Sequence, residues 1–474
     1  MGRQIKITLP GTKEFSALII IAASITILLA CRKTNFNSTS LTTNFLNAAT
    51  VSVAGRVTDL NNLPISNASV TAGTSVTTTD IDGQFIIKNA QLSKDGGFVK
   101  VSKAGYFPGS RTFLINANGV VNVKIKLIPK MVSGNFAAFS GGIVNVWGGG
   151  SVTFSAGTIV SAETGDLYTG NVSVSTFFLD PVDARSTEYM PGDLRGINTS
   201  NQERILQSFG MVSIEMNAPG GEKLQLAAGK TATITFPIPP SLQAKAPATI
   251  PLWYFDETKG IWKEEGNATR QGNDYVGKVA HFSFWNCDLP AEYVRLDIIF
   301  KDQKGNALTN KLVTVSSASY GIRSGYTDSN GGVSGLIPAN ETLIIKVFDQ
   351  CGEILYTKNI GPFSIDANLG STTVDFVRDQ YSVTLSGTVI NCSNTVVTNG
   401  YVQLRSGNNY FNAAITKGYF NVTFDRCTNL STPVTLIAYD EENLRQSAVQ
   451  TLVVTVGGNQ NIGQLKACED YTYY

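Results

Sequence analysis

Along most of this chain, apolar and polar residues alternate with a period of two. VNVKIKLI (121–128), NVSVSTFFL (171–179), TATITFPI (231–238) and SVTLSGTVI (382–390) each send every second side chain to one face. That is the pattern of a strand half buried in a sheet. Val, Ile, Thr and Ser fill these runs, and Gly or Asp-Gly pairs separate them, as turns between strands require. No helix-period segment after the N-terminal region exceeds two turns. SNQERILQSFG (200–210) is the best short helix candidate, with Ser200 as N-cap and Gly210 as stop. The pattern predicts an all-β chain folded as several β-sandwiches in tandem.

One run breaks the alternation. Ser16–Ala30 (SALIIIAASITILLA) is apolar throughout, follows Arg3, Lys6 and Lys13, and ends against Cys31. It is short of the roughly 20 residues a membrane-crossing helix needs, and its flanks match a secretory signal. Leu28-Leu29-Ala30-Cys31 resembles the cleavage site of a bacterial lipoprotein signal. The resemblance implies cleavage between Ala30 and Cys31, lipidation of Cys31, and attachment to a membrane through that lipid. An uncleaved anchor and an ordinary signal with an incidental cysteine are the alternatives. Residues 1–30 are thus expected to be the signal. Residues 31–50 are expected to be the lipidated cysteine and a Ser/Thr/Asn-rich tether with little to pack. By the same resemblance, Arg32 after the cysteine permits delivery to an outer membrane. The localisation expected is the cell envelope, facing either the periplasm or the surface.

Composition narrows the function classes. The 474 residues carry a net charge of +1, and 15% are charged, so nothing points to a nucleic-acid partner. Cys287, Cys351, Cys392, Cys427 and Cys468 are disulfide candidates in an exported chain. Their odd number leaves at least one thiol free or paired between chains. Spacing does not fix the pairing; Cys392–Cys468 with Cys351–Cys427 is the arrangement carried forward. With one histidine and no Cys-x-x-Cys, no metal site is expected, and no cofactor motif occurs.

Residues 51–130 contain Gly55-x-Val57, Pro64-Ile65 before Ala68-x-Val70, Thr79-Asp80-x-Asp82-Gly83-x-Phe85 and Gly105-Tyr106. They resemble the carboxypeptidase regulatory-like domain, which implies a transthyretin-like β-sandwich. Asp82-Gly83 is a hairpin signal between two strand runs, and Asp80 can accept backbone amides there. Calcium on Asp80 and Asp82 would lack further ligands. The pattern returns in 291–380, where Phe300-x-Asp302 and Thr327-Asp328-x-Asn330-Gly331 answer the first set. It returns more faintly in 381–474, with Gly387-x-Val389 and Lys417-Gly418-x-Phe420; this last sandwich is expected to be stapled by disulfides. Residues 131–290 differ. They hold Asp180-Pro181, Tyr189-Met190-Pro191-Gly192-Asp193-Leu194, Leu252-Trp253-Tyr254-Phe255-Asp256, Gly260-x-Trp262 and His281-Phe282-Ser283-x-Trp285-Asn286-x-Asp288. That series resembles the extracellular region of the astroprincin family and of cartilage intermediate layer proteins. The resemblance implies a cell-surface or matrix module without an established enzymatic role.

Candidate chemistry is sparse. His281-Phe282-Ser283 is similar to a self-cleaving site, in which the histidine activates the serine hydroxyl against the preceding carbonyl. It requires a strained peptide; otherwise His281 and Phe282 end a strand and pack on Trp253 or Trp285. There is no Gly-x-Ser-x-Gly elbow. Asp256-Glu257 and Glu264-Glu265 are adjacent pairs whose members would face opposite ways on a strand, and Glu264-Glu265-Gly266 reads as a solvated turn. Trp147, Trp253, Trp262 and Trp285 are read as core, with sugar stacking as the alternative. The function expected is a non-catalytic envelope lipoprotein whose sandwiches present a binding or adhesive surface to a protein or glycan ligand. A self-cleaving protein and a glycan-binding accessory of polysaccharide uptake are the alternatives.

Overall fold

A computed structural model describes residues 48–470 apart from 116–119, 184, 376–381, 408, 427–431 and 455–456. The fold is all-β: tandem sandwiches, with Ser186–Tyr189 and the 3₁₀ turn Pro240–Lys245 as the helical elements among the described residues. None of those helices is long and apolar enough to cross a membrane.

The first sandwich packs the sheet of Gln84–Ser93, Ala48–Thr58 and Val120–Lys126 on that of Ser75–Thr78, Ser69–Ala72, Gly97–Ser102 and Gly109–Phe113. Alternate residues such as Val51, Val53, Val57, Phe85 and Ile87 fill the space between them. Asp82-Gly83 forms the expected turn but not the expected hairpin. Gln84–Ser93 pairs with Ala48–Thr58, whereas Ser75–Thr78 pairs with Ser69–Ala72. The turn therefore hands the chain from one sheet to the other. Gly83 takes φ 72°, and a Cβ there would lie 2.2 Å from the Val57 carbonyl oxygen, so only glycine fits.

The same construction recurs, down to its hydrogen bonds. Thr79 Oγ1 donates to the Ile65 carbonyl (2.7 Å) and accepts the Ala68 amide (2.8 Å). Thr327 Oγ1 donates to the Leu308 carbonyl (2.6 Å) and accepts the Lys311 amide (2.8 Å). Asp80 Oδ1 accepts the amides of Asp82 and Gln84, as Asp328 Oδ1 accepts those of Asn330 and Gly332. The Val57, Phe300 and Val389 amides donate to the carbonyls of Gly83, Gly331 and Gly418 at 2.7–2.8 Å. Each sandwich also closes with a parallel pair: Ala48–Thr58 with Val120–Lys126, Tyr293–Lys301 with Ala367–Thr373, and Ser382–Asn391 with Gly458–Asp470. In the last sandwich, Arg445–Ser447 bridges Thr432–Asp440 and Gly458–Asp470, joining its strands into one eight-stranded sheet.

Between the first and third sandwiches in sequence lies a thirteen-stranded sheet. Its long central strand, Glu203–Asn217, replaces the helix expected at 200–210. Ile205 and Leu206 are both buried, as are Ser208 to Ile214. One face of this strand packs into the core with Phe209, Val212 and Ile214. The other packs with Leu206 and Met211 into a second cluster that includes Phe107, Trp253, Phe255 and Trp262. A strand covered on both sides loses its alternation, and that is what imitates a helical stripe.

Candidate functional site

Strand Gly142–Asn145 lies at an edge of the thirteen-stranded sheet. Its alternation continues past its end. Val144 and Val146 point inward and are buried, while Ile143, Asn145 and Trp147 point outward. Ile143 is 70% exposed and Trp147 is 56% exposed. Trp147 opens the tight turn Trp147-Gly148-Gly149-Gly150. All three glycines have positive φ, and a Cβ on Gly150 would lie 2.1 Å from the Thr235 carbonyl oxygen. The tryptophan's backbone is clamped at both ends: its amide donates to Thr176 Oγ1 (3.2 Å), and its carbonyl accepts the Phe178 amide (2.7 Å). A large ring is thereby held in solvent on a fixed backbone.

The face beside it is hydroxyl- and amide-lined. Strand register sets Ile143 beside Thr153, then Thr233, then Lys278; Asn145 stands beside Ser151 and Thr235. Residues in register project to the same side of a sheet. The face therefore carries no charge on its first three strands; Lys278 and Asp274 stand on the fourth. Phe139, 70% exposed, and the exposed Met131 and Val132 lie in the segment leading into this strand. A ring over neighbouring hydroxyls can stack on an apolar sugar face while the hydroxyls hydrogen-bond its edge.

The other three tryptophans are core, as expected; Trp147 is the correction. Trp253, Trp262 and Trp285 are fully buried. Their indole N–H groups donate to the carbonyls of Asp288, Asp193 and His281 at 2.9–3.1 Å. Trp253 and Trp262 belong to the cluster that also holds Phe107 and Ile128 of the first sandwich. Thr112 Oγ1 donates to the Gly260 carbonyl (2.7 Å) across the same boundary.

His281 packs between Tyr254 (4.7 Å between ring centres) and Trp285 (5.0 Å). Its Nε2 is 3.6 Å from Glu265 Oε2. The Ser283 hydroxyl donates to the Phe284 carbonyl (3.1 Å). Gln225 brackets the Phe282 peptide: its Oε1 accepts the Phe282 amide (3.0 Å) and its Nε2 donates to the Phe282 carbonyl (3.4 Å). Phe282 packs on Phe154, 5.6 Å between ring centres. Base and nucleophile thus point to different partners, and no residue from 280 to 284 has positive φ. Glu264 and Glu265 lie within strand Ile261–Gln271 rather than in a turn. Asp256 pairs with Lys263 (2.9 Å) and Glu257 with Lys100 (2.7 Å). Asp80 and Asp82, considered for calcium, are instead engaged by backbone amides and by side chains of the last sandwich. Among the described residues, no three His, Cys, Asp or Glu side chains come together to hold a metal.

A buried polar group behind Trp285 was not read as a unit from the sequence. Ser208 Oγ donates to Asn286 Oδ1 (2.7 Å), and Asn286 Nδ2 donates to Asp288 Oδ2 (2.5 Å). Burial pushes the Asp288 carboxyl well up and pushes the Cys287 thiol up as well. Burial also lowers the Arg323 guanidinium to about 10, against the pull of Asp193 and Asp288. Arg323 reaches across from the third sandwich to donate to the Leu206 carbonyl (3.0 Å). This group ties two modules together; its spacing, Asn286-x-Asp288, was its one visible trace.

Cys392 and Cys468 form the expected disulfide, 76 residues apart. Cys351 is also disulfide-bonded, while Cys427, its expected partner, lies outside the described residues. Cys287 is a free, buried thiol, which removes it from the disulfide candidates. Ala30 and Cys31 lie outside the described residues.

No family model matches the chain. It is similar to cartilage intermediate layer protein 2 of Homo sapiens, 30% identical over 127 residues. The match covers 26% of this chain and 10% of that protein. Cartilage intermediate layer protein 1 of Sus scrofa is 31% identical over 108 residues, covering 22% and 17% respectively. The chain thus spans about a tenth of the length of the first of these relatives. Among solved structures, the shaft pilin SpaA of Lactobacillus rhamnosus GG covers 38% of the chain at 8% identity, with 98% of the pilin covered and a TM-score of 0.21. The Bacillus anthracis TIE protein covers 85% at 10% identity, with 66% of that chain covered and a TM-score of 0.18. Such values carry nothing about function.

Proposed function

We propose that this chain is a lipid-anchored, non-catalytic cell-envelope protein. Its fused β-sandwiches hold the Trp147 face away from the membrane to bind a ligand. The observation that carries the reading is the contrast among the tryptophans. Three are sealed in cores with their N–H groups satisfied, while Trp147 is displayed on a clamped backbone at the end of an edge strand whose outer face is uncharged over three strands. Large exposed apolar groups on a fixed scaffold commonly mark interaction surfaces. The anchoring half rests on the apolar run ending at Ala30-Cys31. Two or more acyl chains at about 0.8 kcal/mol per buried CH₂ would hold the chain stably on a bilayer.

The absence of charge on the first three strands of this face favours a neutral glycan as its ligand over a phosphorylated or strongly acidic one. The test is retention on a glycan array of neutral and acidic polysaccharides, comparing the parent with Trp147→Ala and with Trp262→Phe as a core control. Loss of retention in Trp147→Ala alone supports the reading. Equal retention by all three removes this face from any glycan site.

A further inference from the structure

The turn Thr79–Gly83 also sits on the last sandwich. Its side chains meet strands Gly400–Ser406 and Asn409–Ala414, 321 to 328 residues later in the chain. Gln403 Nε2 donates to Asp80 Oδ2 (2.6 Å), and the Tyr401 hydroxyl donates to the same oxygen (3.3 Å). The Tyr410 hydroxyl donates to Asp82 Oδ1 (2.6 Å), and Arg56 lies 4.2 Å above the Tyr410 ring. Asn412 Nδ2 donates to Gln84 Oε1 (3.2 Å), and Lys88 Nζ donates to the Gly400 carbonyl. Beside these contacts, Ala54, Ile86, Tyr401 and Tyr439 form a small buried apolar cluster.

Two features make this contact unlike the cores. It is mostly polar, and it is imperfect: Gln84 Nε2 and Asn412 Oδ1 are buried there without a partner, which destabilises the docked state. Its centre is a carboxylate whose partners across the interface are a neutral amide and a neutral phenol. Burial is the main cause that raises Asp80 from its ordinary value to about 6; neighbouring Asp82 adds to the rise, and bonds from Gln84 and Gln403 oppose it.

We propose that this contact is a proton-operated clasp between the first and last sandwiches, closed at mildly acidic pH and loosened as the solution becomes neutral. When the sandwiches part, Asp80 loses the burial that the last sandwich adds and falls back toward the ordinary carboxylate range, while keeping the Asp82 and Gln84 amide bonds of its own turn. The docked state then holds more protons across the window between the parted value and about 6, so docking is strongest below that window, weakens across it and levels off above about 6. At most about two pH units separate the two states, roughly a hundredfold across the whole window, of which about tenfold falls between pH 5 and pH 8. The other facing charges are Asp82, Arg56, Arg405, Lys88 and Glu441. Burial raises Glu441, against the pull of Lys88, so it acts in the same direction as Asp80. Tyr410, raised to about 12 by burial and by its bond to Asp82, stays neutral throughout the window. Lys88 is lowered by burial and adds a constant opposing term while it remains protonated.

The test places dyes on the full chain at exposed Val76 and Leu444 through Val76→Cys and Leu444→Cys, and follows energy transfer during urea titration at pH 5 and pH 8. The parent should part at lower urea at pH 8. In Asp80→Asn, Oδ1 still accepts the Asp82 and Gln84 amides, and Gln403 can turn its amide to accept. Its parting midpoint should differ between the two pH values by much less than the parent's, the remainder coming from Glu441, and should be no lower than the parent's at pH 8. Tyr410→Phe leaves the turn untouched and should lower the midpoint at both pH values while keeping the pH response. The clasp is overturned if the parent parts at the same urea concentration at both pH values. It is also overturned if Asp80→Asn keeps the parent's pH response, or if Tyr410→Phe parts where the parent does.

Discussion

Thr327→Val tests the repeated construction of the sandwiches. The change is nearly isosteric, and Thr327 is fully buried, so the loss is chemical rather than volumetric. The hydroxyl donates to the Leu308 carbonyl at 2.6 Å and accepts the Lys311 amide at 2.8 Å. Valine leaves both backbone groups without that partner where water does not replace it. At about 1–3 kcal/mol per orphaned group, partly offset by relaxation, the expected loss is roughly 2–4 kcal/mol. Native-state hydrogen exchange across Leu312–Ser317 and Leu343–Phe348 reads the opening of that sandwich separately from the others. Exchange there should quicken by about 30- to 1,000-fold, while Gln84–Ser93 is unchanged. Thr79→Val should reverse the pattern, and the two effects should add, since they lie in separate cores. A loss below about 0.5 kcal/mol in both variants, the scale of an ordinary surface change, would refute the bridging role of these hydroxyls. The third repeat already dispenses with one, since buried Ile415 donates its amide to the Gly400 carbonyl as Thr79 does to Ala68 and Thr327 to Lys311.

Three further outcomes are expected. Removing the Cys392–Cys468 bridge with paired serines opens a loop spanning 76 positions and should cost the last sandwich about 4 kcal/mol, read as a lowered denaturation midpoint that reductant lowers less than it lowers the parent's, since the Cys351 disulfide remains. Gly335→Ala places a methyl where nothing lies within 4 Å, beside a cavity of about 60 Å³ lined by Leu296, Val313 and Ile337; it should stabilise the third sandwich by about 0.5–1 kcal/mol in urea titration. Because burial raises the Asp288 carboxyl, its contribution to stability is complete below the ordinary carboxylate range and is lost as pH rises. The middle module should therefore weaken toward alkaline pH in the parent, by thermal melting, and Asp288→Asn should flatten that slope.

Strands and fold class were legible because half-buried strands must alternate. The repeat was legible because a turn with positive φ and an acceptor side chain needs Asp and Gly at fixed offsets, as in Thr79–Gly83 and Thr327–Gly331. Pairing partners were not legible: Asp82-Gly83 marks a reversal whether the next strand joins the same sheet or the opposite one. Glu203–Asn217 was misread as a helix because both its faces are buried. Trp147 was grouped with the core tryptophans because ring size alone predicts burial. Its outward register along Ile143, Asn145 and Trp147, beside three consecutive glycines, was the signal that could have separated it. The clasp and the Ser208–Asn286–Asp288 group join residues 78 to 328 positions apart, distances over which a single sequence shows no pairing.

The most direct test of an anchored, non-catalytic display protein is the intact mass of the chain extracted from the envelope fraction. The expected species begins at Cys31, carries acyl chains, and is unbroken between Phe282 and Ser283. A species that retains residues 1–30, lacks acyl mass, or is divided at Phe282–Ser283 would contradict the account.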